Sequence, residues 1–255
     1  MSQPLFPPVL VISGTGTDVG KTVVTAALAA LGADHGLRVA VVKARPDRRA
    51  ARACGRSQHR PPPVRRHQHP RAGRFADPLS PEAAARTAGR PPLNLAAAAV
   101  FIKGVDADMI LVEGAGGLLV RYDPAGATIA DLVAMLAVPV LVVTTPWLGT
   151  LDHTALTLEA LARRRLTCAG VVIGGWPADP GLAERANLTD LAVLAGGPLA
   201  GALPAGVGRL NRGDFLRVAR AGLSPAFGGT FRGLPDGEPQ LAPYLHGPSD
   251  TKVAW

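Results

Sequence analysis

The chain has 255 residues, enough for one α/β domain with a sizeable core or for two small domains. Its two cysteines, Cys54 and Cys168, exclude a disulfide framework and lack the spacing of a metal site, which favours a reducing, cytoplasmic location. The sequence has no visible signal peptide and no apolar run near the ~20 residues that span a bilayer, so we expect no membrane association.

The net charge of +8 comes from one segment of the chain. Residues 45–74 contain ten arginines and a single acid, Asp47, and therefore carry +9, which leaves −1 for the remainder. Because the positive charge is confined to this stretch, it does not indicate a nucleic-acid-binding surface on the folded domain, and we expect no nucleic-acid partner.

The first predicted elements are a buried strand over residues 8–12 and a helix over residues 23–31. Between them lies a glycine-rich loop, residues 13–22, with the sequence Ser-Gly-Thr-Gly-Thr-Asp-Val-Gly-Lys-Thr. Glycines let the backbone fold closely around an anion, and the helix N-terminus adds the positive end of its dipole. The order strand, loop, helix therefore predicts a phosphate-binding loop.

Two side chains of this loop have predicted roles. Lys21 would reach the outer phosphates, and the hydroxyl of Thr22 would be a ligand of Mg²⁺. Five residues, where the common pattern has four, separate Gly14 from Gly20. The alternative interpretation is a glycine-rich turn that binds nothing.

A second buried strand is predicted over residues 38–43, with Lys43 at its carboxyl end. Open α/β sheets bind ligands at that edge, so Lys43 is either a site residue or an ordinary surface lysine. The following segment, residues 45–74, has no helical or strand period. It is interpreted as a disordered basic loop, or as an arm that binds a polyanion although it lacks interleaved aromatic residues.

Residues 108–112 predict another buried strand, which delivers Glu113 directly into a glycine-rich turn over residues 114–117. A carboxylate beside a phosphate loop is suited to hold Mg²⁺ or its water shell. The glycines would leave backbone N–H groups free for an anion. The alternative is a solvated strand-end glutamate before a flexible turn.

The remaining pattern alternates between strands and helices, and Asp152 is the predicted N-cap of one helix. The predicted strands cover residues 138–145, 168–173 and 198–203, and the predicted helices cover residues 93–105, 128–137, 154–164 and 182–194. This alternation predicts an α/β fold with a mostly parallel sheet and helices on both faces. Residues 1–222 would form a single domain, and residues 223–255 a loose C-terminal tail.

Several of these motifs together resemble the ATP-dependent dethiobiotin synthetases of actinobacteria. The resemblance covers about residues 8–44 and 75–210, and its motifs are residues 14–22, 41–43, 77–84, 112–118, 148–154 and 203–206. It implies a P-loop NTPase fold and a role in biotin biosynthesis. The implied reaction uses ATP and CO2 or bicarbonate to convert 7,8-diaminopelargonate into dethiobiotin through a carbamic-phosphoric anhydride.

The resemblance also implies roles for particular residues. Lys43 would be the catalytic lysine at the carbamate, Lys21 would act at the phosphates, and Thr22 and Glu113 would serve Mg²⁺. Nucleotide-binding positions would be Asp18, Val19, Gly20, Lys21, Thr22, Val23, Glu113, Gly114, Ala115 and Gly116, with Gly174, Gly175, Pro204, Ala205 and Gly206 on the base side. The family is a homodimer, with substrate bound near residues 148–152 of the neighbouring subunit.

The sequence departs from the family pattern in two places. Lys43 is not followed by Pro and a Thr-Gly or Ser-Gly pair, and no aspartate lies between Asp47 and Asp77 to help hold Mg²⁺. Asp152 stands where the family usually has asparagine. We hypothesise that residues 45–74 come from a compensated pair of frame errors, and we then expect weak or absent synthetase activity with nucleotide binding partly retained.

Three other functions share this style of loop. The ATP-binding half of a cobyrinic acid amide synthase needs a glutaminase with a nucleophilic cysteine, for which neither cysteine is suitably placed. A partitioning ATPase that acts as a nucleotide-switched binding protein carries an extra lysine early in the loop, which is absent between Gly14 and Val19. A degenerate nucleotide binder without synthetase activity is the third alternative.

Overall fold

Six parallel strands form one sheet within residues 6–44 and 79–233, the parts of the chain that this computed structural model describes. The strands are β1 (Val9–Gly14), β2 (Val39–Lys43), β3 (Met109–Gly117), β4 (Val140–Thr144), β5 (Cys168–Trp176) and β6 (Gly201–Pro204). Their order across the sheet is β2-β3-β1-β4-β5-β6. The predictions for the basic segment, residues 45–74, lie outside the described residues.

Helices cover both faces of the sheet, as the sequence predicted. They are α1 (Lys21–Asp34), α2 (Pro81–Thr87), α3 (Leu95–Lys103), α4 (Ile129–Leu136), α5 (Thr150–Arg163), α6 (Leu182–Leu194) and α7 (Arg212–Gly222). Helices α1 and α7 pack against one face, and α3 to α6 pack against the other. The fold is therefore the predicted α/β arrangement.

The core explains why the central strands are continuous apolar runs. In β4, Val140 and Leu141 are both fully buried, although their side chains point to opposite faces of the sheet. Burial of one such side chain is worth about 1.5–3 kcal/mol, and a strand covered on both faces gains this at every position. The rigid core holds the carboxyl ends of β1 and β3 side by side, where ligands bind in such sheets.

Several element boundaries differ from the sequence prediction, and two of these differences lie close to predicted site residues. Helix α5 begins at Thr150 after an N-cap at Gly149, so the assignment of Asp152 as the N-cap is wrong; Asp152 lies in the first turn. Strand β3 continues to Gly117, which pairs with Gly14 of β1, so no turn follows directly after Glu113. Pairing with a strand distant in sequence extends β3, whereas α5 starts earlier through a local hydrogen bond from the His153 N–H to the Gly149 carbonyl oxygen.

Helix α7 and the segment that follows it were not predicted as ordered elements. Asn211 caps α7 by accepting a hydrogen bond from the backbone N–H of Asp214. After α7, the side chains of Leu223, Phe227 and Phe231 are buried against the domain. Residues 223–233 are thus part of the packed structure, in contrast to the expected loose tail, and residues 234–255 lie outside the described residues.

None of the helices in the described part of the chain has the length and apolar character needed to cross a membrane.

Candidate active site

The glycine-rich loop between β1 and α1 has the backbone shape of an anion cradle. Asp18 and Gly20 have φ angles of 57° and 95°, in the left-handed region. Left-handed residues within such a turn let successive N–H groups point into one concave site, which can bind an anion. The N–H groups of residues 16–20 donate no hydrogen bond to any described part of the chain. These donors at the start of α1 are therefore available to an anionic ligand.

Lys21 is held over this loop in a desolvated position. Its Nζ donates a 2.6 Å hydrogen bond to the carbonyl oxygen of Gly16. Burial lowers the pKa of Lys21 below its usual value, and the charges of Glu113 and Asp18 oppose that shift. A phosphate group in the loop would give this ammonium a stronger partner than the neutral carbonyl.

The loop rests directly on the end of β5. A Cβ atom added at Gly174 would lie 2.0 Å from the carbonyl oxygen of Val19, and one added at Gly20 would lie 2.5 Å from the carbonyl oxygen of Gly174. Only glycine allows two backbones to approach this closely. Gly174 therefore supports the shape of the loop, whereas a Cβ at Gly175 would enter open space.

Three of the predicted site residues meet although they belong to three different elements. Lys43 of β2 and Glu113 of β3 are register partners, and Lys43 Nζ lies 3.0 Å from Glu113 Oε2 and 3.2 Å from Oε1. From α1, the hydroxyl of Thr22 donates a 2.5 Å hydrogen bond to Glu113 Oε1. Lys43 Nζ lies 3.5 Å from the Thr22 hydroxyl oxygen. The charge of Glu113 also acts on the Lys21 ammonium, so both predicted lysines lie near this carboxylate.

The donor set at this point fits Mg²⁺. Glu113 and Thr22 offer hard oxygen ligands, and Glu113 Oε2 is a buried acceptor without a well-directed hydrogen bond, although Lys43 lies beside it. The described residues contain no cluster of three or more His, Cys, Asp or Glu side chains that could hold a metal. A magnesium ion here would thus take few protein ligands and would keep phosphate and water oxygens, which is its preference.

The other predicted nucleotide-binding positions are spread along the same edge of the sheet. Ala115 donates its backbone N–H to the Tyr122 hydroxyl at 2.8 Å, so this N–H is not available to an anion. Pro204 is buried at the end of β6, and Ala205 donates its N–H to the carbonyl oxygen of Trp176. Gly206, with a φ of 79°, is exposed beyond that strand.

Sequence reasoning missed a group of buried polar side chains beside the loop. Thr144, Thr150 and Thr154 form a hydrogen-bonded cluster that reaches Thr15 of the loop. Asn187 of α6 donates to the carbonyl oxygens of residues 146 and 147. The sequence contains only a weak signal for this cluster. Thr144 ends an apolar strand, and Thr150 and Thr154 follow it with the spacing of one helical turn.

One family profile and several solved structures match this chain. Residues 9–206 match the sequence profile described as AAA domain. Among solved structures, the MinC:MinD cell division protein complex of Aquifex aeolicus is similar at 13% identity and a TM-score of 0.48, with 78% of this chain and 81% of that chain covered. A ParA family ATPase from Chlorobium tepidum TLS has 13% identity and a TM-score of 0.47, with 86% and 91% covered.

Curated relatives are much more similar in sequence. The ATP-dependent dethiobiotin synthetase BioD of Parafrankia sp. (strain EAN1pec) is 55% identical over 226 residues, which cover 88% of this chain and 94% of the relative. The synthetase of the same name from Saccharopolyspora erythraea is 50% identical over 227 residues, with 87% and 97% covered. That of Streptomyces coelicolor is 47% identical, with 88% and 95% covered. The chain therefore belongs to the ATP-dependent dethiobiotin synthetase family, as its motifs predicted.

Proposed function

We propose that this chain uses ATP to close the ureido ring of dethiobiotin from 7,8-diaminopelargonate and CO2. The observation that carries the proposal is the convergence of Lys43, Glu113 and Thr22 at the phosphate loop, with Lys43 Nζ within 3.5 Å of the Thr22 hydroxyl. This brings a second ammonium beside the place where the loop would hold the outer phosphates. The substrate is inferred from the curated relatives, which are named ATP-dependent dethiobiotin synthetase.

The reaction balances in three steps. One amine of the diamine adds to CO2 and loses a proton, which gives a carbamate. A carbamate oxygen then takes the γ-phosphoryl group of ATP, which forms the carbamic-phosphoric anhydride and releases ADP. The second amine attacks the anhydride carbon, the bond to the phosphate oxygen breaks, and the ureido ring closes with release of phosphate and a proton.

The two lysines reduce the electrostatic repulsion that opposes the second step. The carbamate and the γ-phosphate are both anionic, and their repulsion must be offset where they meet. We assign Lys43 to the carbamate and Lys21 to the phosphates, because their ammonium groups approach the loop from different elements. Fixed positive charges in a site that excludes water stabilise the charge that develops during phosphoryl transfer.

Glu113 and Thr22 would hold Mg²⁺ in this scheme. When bound, the ion supplies charge neutralisation and orientation at the phosphate oxygens. Glu113 also holds the Lys43 ammonium at 3.0 Å in the protein alone, so the carboxylate keeps the catalytic lysine at the edge of the loop before substrates arrive.

We further propose that the active species is a homodimer in which residues 148–152 lie near the substrate of the neighbouring subunit. Supporting this are two large apolar side chains exposed beside the start of α5: Leu148 is 84% exposed and Trp147 is 45% exposed. A Leu148→Asp variant should shift the mass measured by light scattering from dimer to monomer, and a wild-type chain that is monomeric at assay concentrations contradicts the dimer. We assign the reaction to the cytoplasm, where ATP is supplied and cysteines stay reduced.

The function is tested by ADP release with both 7,8-diaminopelargonate and bicarbonate, compared with each compound alone. We expect ADP and dethiobiotin in equal amounts when both are present, and little ADP otherwise. ADP release that ignores the diamine would favour a nucleotide-switched binding protein. Nucleotide binding without any release would favour a degenerate nucleotide binder.

A further inference from the structure

A buried threonine hydroxyl lies at the centre of a polar network next to the phosphate loop. Thr144, the last residue of β4, is fully buried, and its Oγ1 lies 2.8 Å from Thr150 Oγ1, 2.9 Å from Thr154 Oγ1 and 3.3 Å from Thr15 Oγ1. Thr150 and Thr154 belong to α5, whereas Thr15 belongs to the loop. One side chain thus touches both the nucleotide loop and the helix that follows β4.

The direction of each hydrogen bond follows from counting protons. Thr150 donates its hydroxyl proton to the carbonyl oxygen of Thr145 at 2.6 Å, so it must accept from Thr144. Thr144 has then used its single proton, and Thr154 and Thr15 must both donate to it. The Thr144 hydroxyl is therefore saturated, with one bond donated and two accepted, and it leaves no capacity for another arrangement.

This network fixes the chain between β4 and α5. The bond from Thr150 to the Thr145 carbonyl closes one side of the connection, residues 145–149. On its other side, the buried Asn187 donates from Nδ2 to the carbonyl oxygens of Pro146 at 2.7 Å and Trp147 at 3.3 Å. Buried polar groups are costly to leave unpaired. If the Thr150 or Asn187 side chain moves, the backbone of residues 145–149 must therefore move with it.

We propose that Thr144 is a positioning residue that couples occupancy of the phosphate loop to the order of residues 145–153. A phosphate that engages the N–H groups of residues 16–20 fixes the loop, and with it Thr15, whose hydroxyl donates to Thr144. Thr144 in turn holds Thr150 at the first turn of α5. The consequence for catalysis rests on the proposed function, in which residues 148–152 lie near the diamine.

The coupling is measurable without the diamine. Hydrogen exchange of peptides that cover residues 145–153 is compared with and without a saturating non-hydrolysable ATP analogue and Mg²⁺. In the wild type we expect the nucleotide to slow exchange about tenfold, since local opening is suppressed. In Thr144→Val, which keeps the shape and removes the hydroxyl, this slowing should disappear, and Thr144→Ser should restore it.

Two further variants keep the test independent of folding defects. Thr15→Val removes the bond at the partly exposed loop end and leaves the bonds among Thr144, Thr150 and Thr154 in place, so it should also abolish the nucleotide effect. Thr157→Val is the matched control, because Thr157 lies on the same helix and donates instead to the carbonyl oxygen of His153. The control should behave like the wild type.

The outcomes separate this inference from the proposed function. Nucleotide-dependent slowing that persists in both Thr144→Val and Thr15→Val overturns the coupling, as does a wild type in which nucleotide binds without slowing exchange. A wild type that shows the slowing but makes no dethiobiotin contradicts the proposed function and leaves the coupling intact. If both hold, Thr144→Val should raise the KM for the diamine more than tenfold and Thr144→Ser should not.

Discussion

Lys43 and Glu113 are register partners on adjacent parallel strands, and the ammonium of Lys43 lies 3.0 Å from Glu113 Oε2. Parallel strands align their carboxyl ends, so two residues seventy positions apart in sequence reach the same edge of the sheet. Thr22 completes the group from the first turn of α1.

Lys43→Met should reduce turnover by about 10²- to 10³-fold, the usual effect of removing one group that stabilises developing charge. Nucleotide affinity should change little, because the loop and Lys21 remain. Turnover is measured as dethiobiotin formed, and affinity by calorimetry. Lys103→Met is the matched control, since Lys103 is exposed and donates to the Met135 carbonyl far along the chain; an equal loss in the control contradicts a specific role.

Glu113→Gln should weaken the dependence of nucleotide binding on Mg²⁺. The amide keeps the size of the side chain and removes the negative charge that attracts the ion. Binding measured with EDTA should be unchanged or tighter, because a carboxylate near the phosphates repels them. The same enhancement by Mg²⁺ in the variant and the wild type would show that Glu113 does not hold the metal.

The lowered pKa of Lys21 predicts how the stability of the nucleotide-free protein changes with pH. Burial lowers the pKa of Lys21 below the value of 10.5 that applies in the unfolded chain. At pH values between the folded and unfolded pKa, the folded protein therefore binds fewer protons than the unfolded chain. The free energy of unfolding consequently increases as the pH rises through this window. Lys21→Met should therefore leave the Tm of the nucleotide-free protein unchanged or higher at neutral pH, while nucleotide binding is lost. A clearly lower Tm in the variant contradicts the desolvated cation.

The same shift predicts proton uptake when nucleotide binds. Phosphate favours the charged ammonium, so binding raises the pKa of Lys21 and takes up protons at alkaline pH. Calorimetry at high pH in two buffers with different ionisation enthalpies measures this uptake, which should vanish near neutral pH. Identical binding enthalpies in both buffers at high pH would rule it out.

Gly174→Ala should disrupt the phosphate loop. The new Cβ would lie 2.0 Å from the carbonyl oxygen of Val19, so the loop or β5 must move, at a cost of about 1–3 kcal/mol or more. Nucleotide affinity and Tm should both fall. Gly197→Ala is the matched control, because its Cβ also meets nothing within 4 Å and it has no predicted site role; equal effects from the two variants would argue against close packing at Gly174.

The basic segment, residues 45–74, should limit turnover more than nucleotide binding, because it replaces the Thr-Gly pair and the second Mg²⁺ carboxylate that the family pattern places after Lys43. Exchange of this segment for its counterpart from the Parafrankia relative should raise turnover and leave nucleotide affinity similar. Full activity of the unaltered chain, from a gene with a verified reading frame, contradicts the frame-error hypothesis.

The parts of the fold that sequence predicted are those set by local pattern. The apolar runs of β1 and β4, the phosphate loop and the start of α1 each depend on neighbouring residues, so their type and order were predictable. The family motifs predicted site roles for Lys43 and Glu113, and these roles stay predictions. Their contact depends on strand order, which the alternation of elements leaves open.

The missed features depend on residues that meet only after folding. Thr144 pairs with Thr15, which is 129 positions away, so the spacing of neighbouring residues does not predict that contact. Gly117 extends β3 because Gly14 lies opposite it, against the turn tendency of its own stretch. Leu223 and Phe231 are buried because the sheet offers a surface, although their glycine-rich surroundings favour a loop.

We propose that Lys43 and Lys21 bring a carbamate and a γ-phosphate together so that the phosphoryl group moves to the carbamate oxygen. The most direct test is a single turnover with ¹⁸O-labelled CO2, 7,8-diaminopelargonate and unlabelled ATP in unlabelled water, followed by mass analysis of the released phosphate. We expect one ¹⁸O atom in that phosphate, carried over from the carbamate oxygen when the ring closes. Phosphate without the label, formed alongside dethiobiotin, would contradict it.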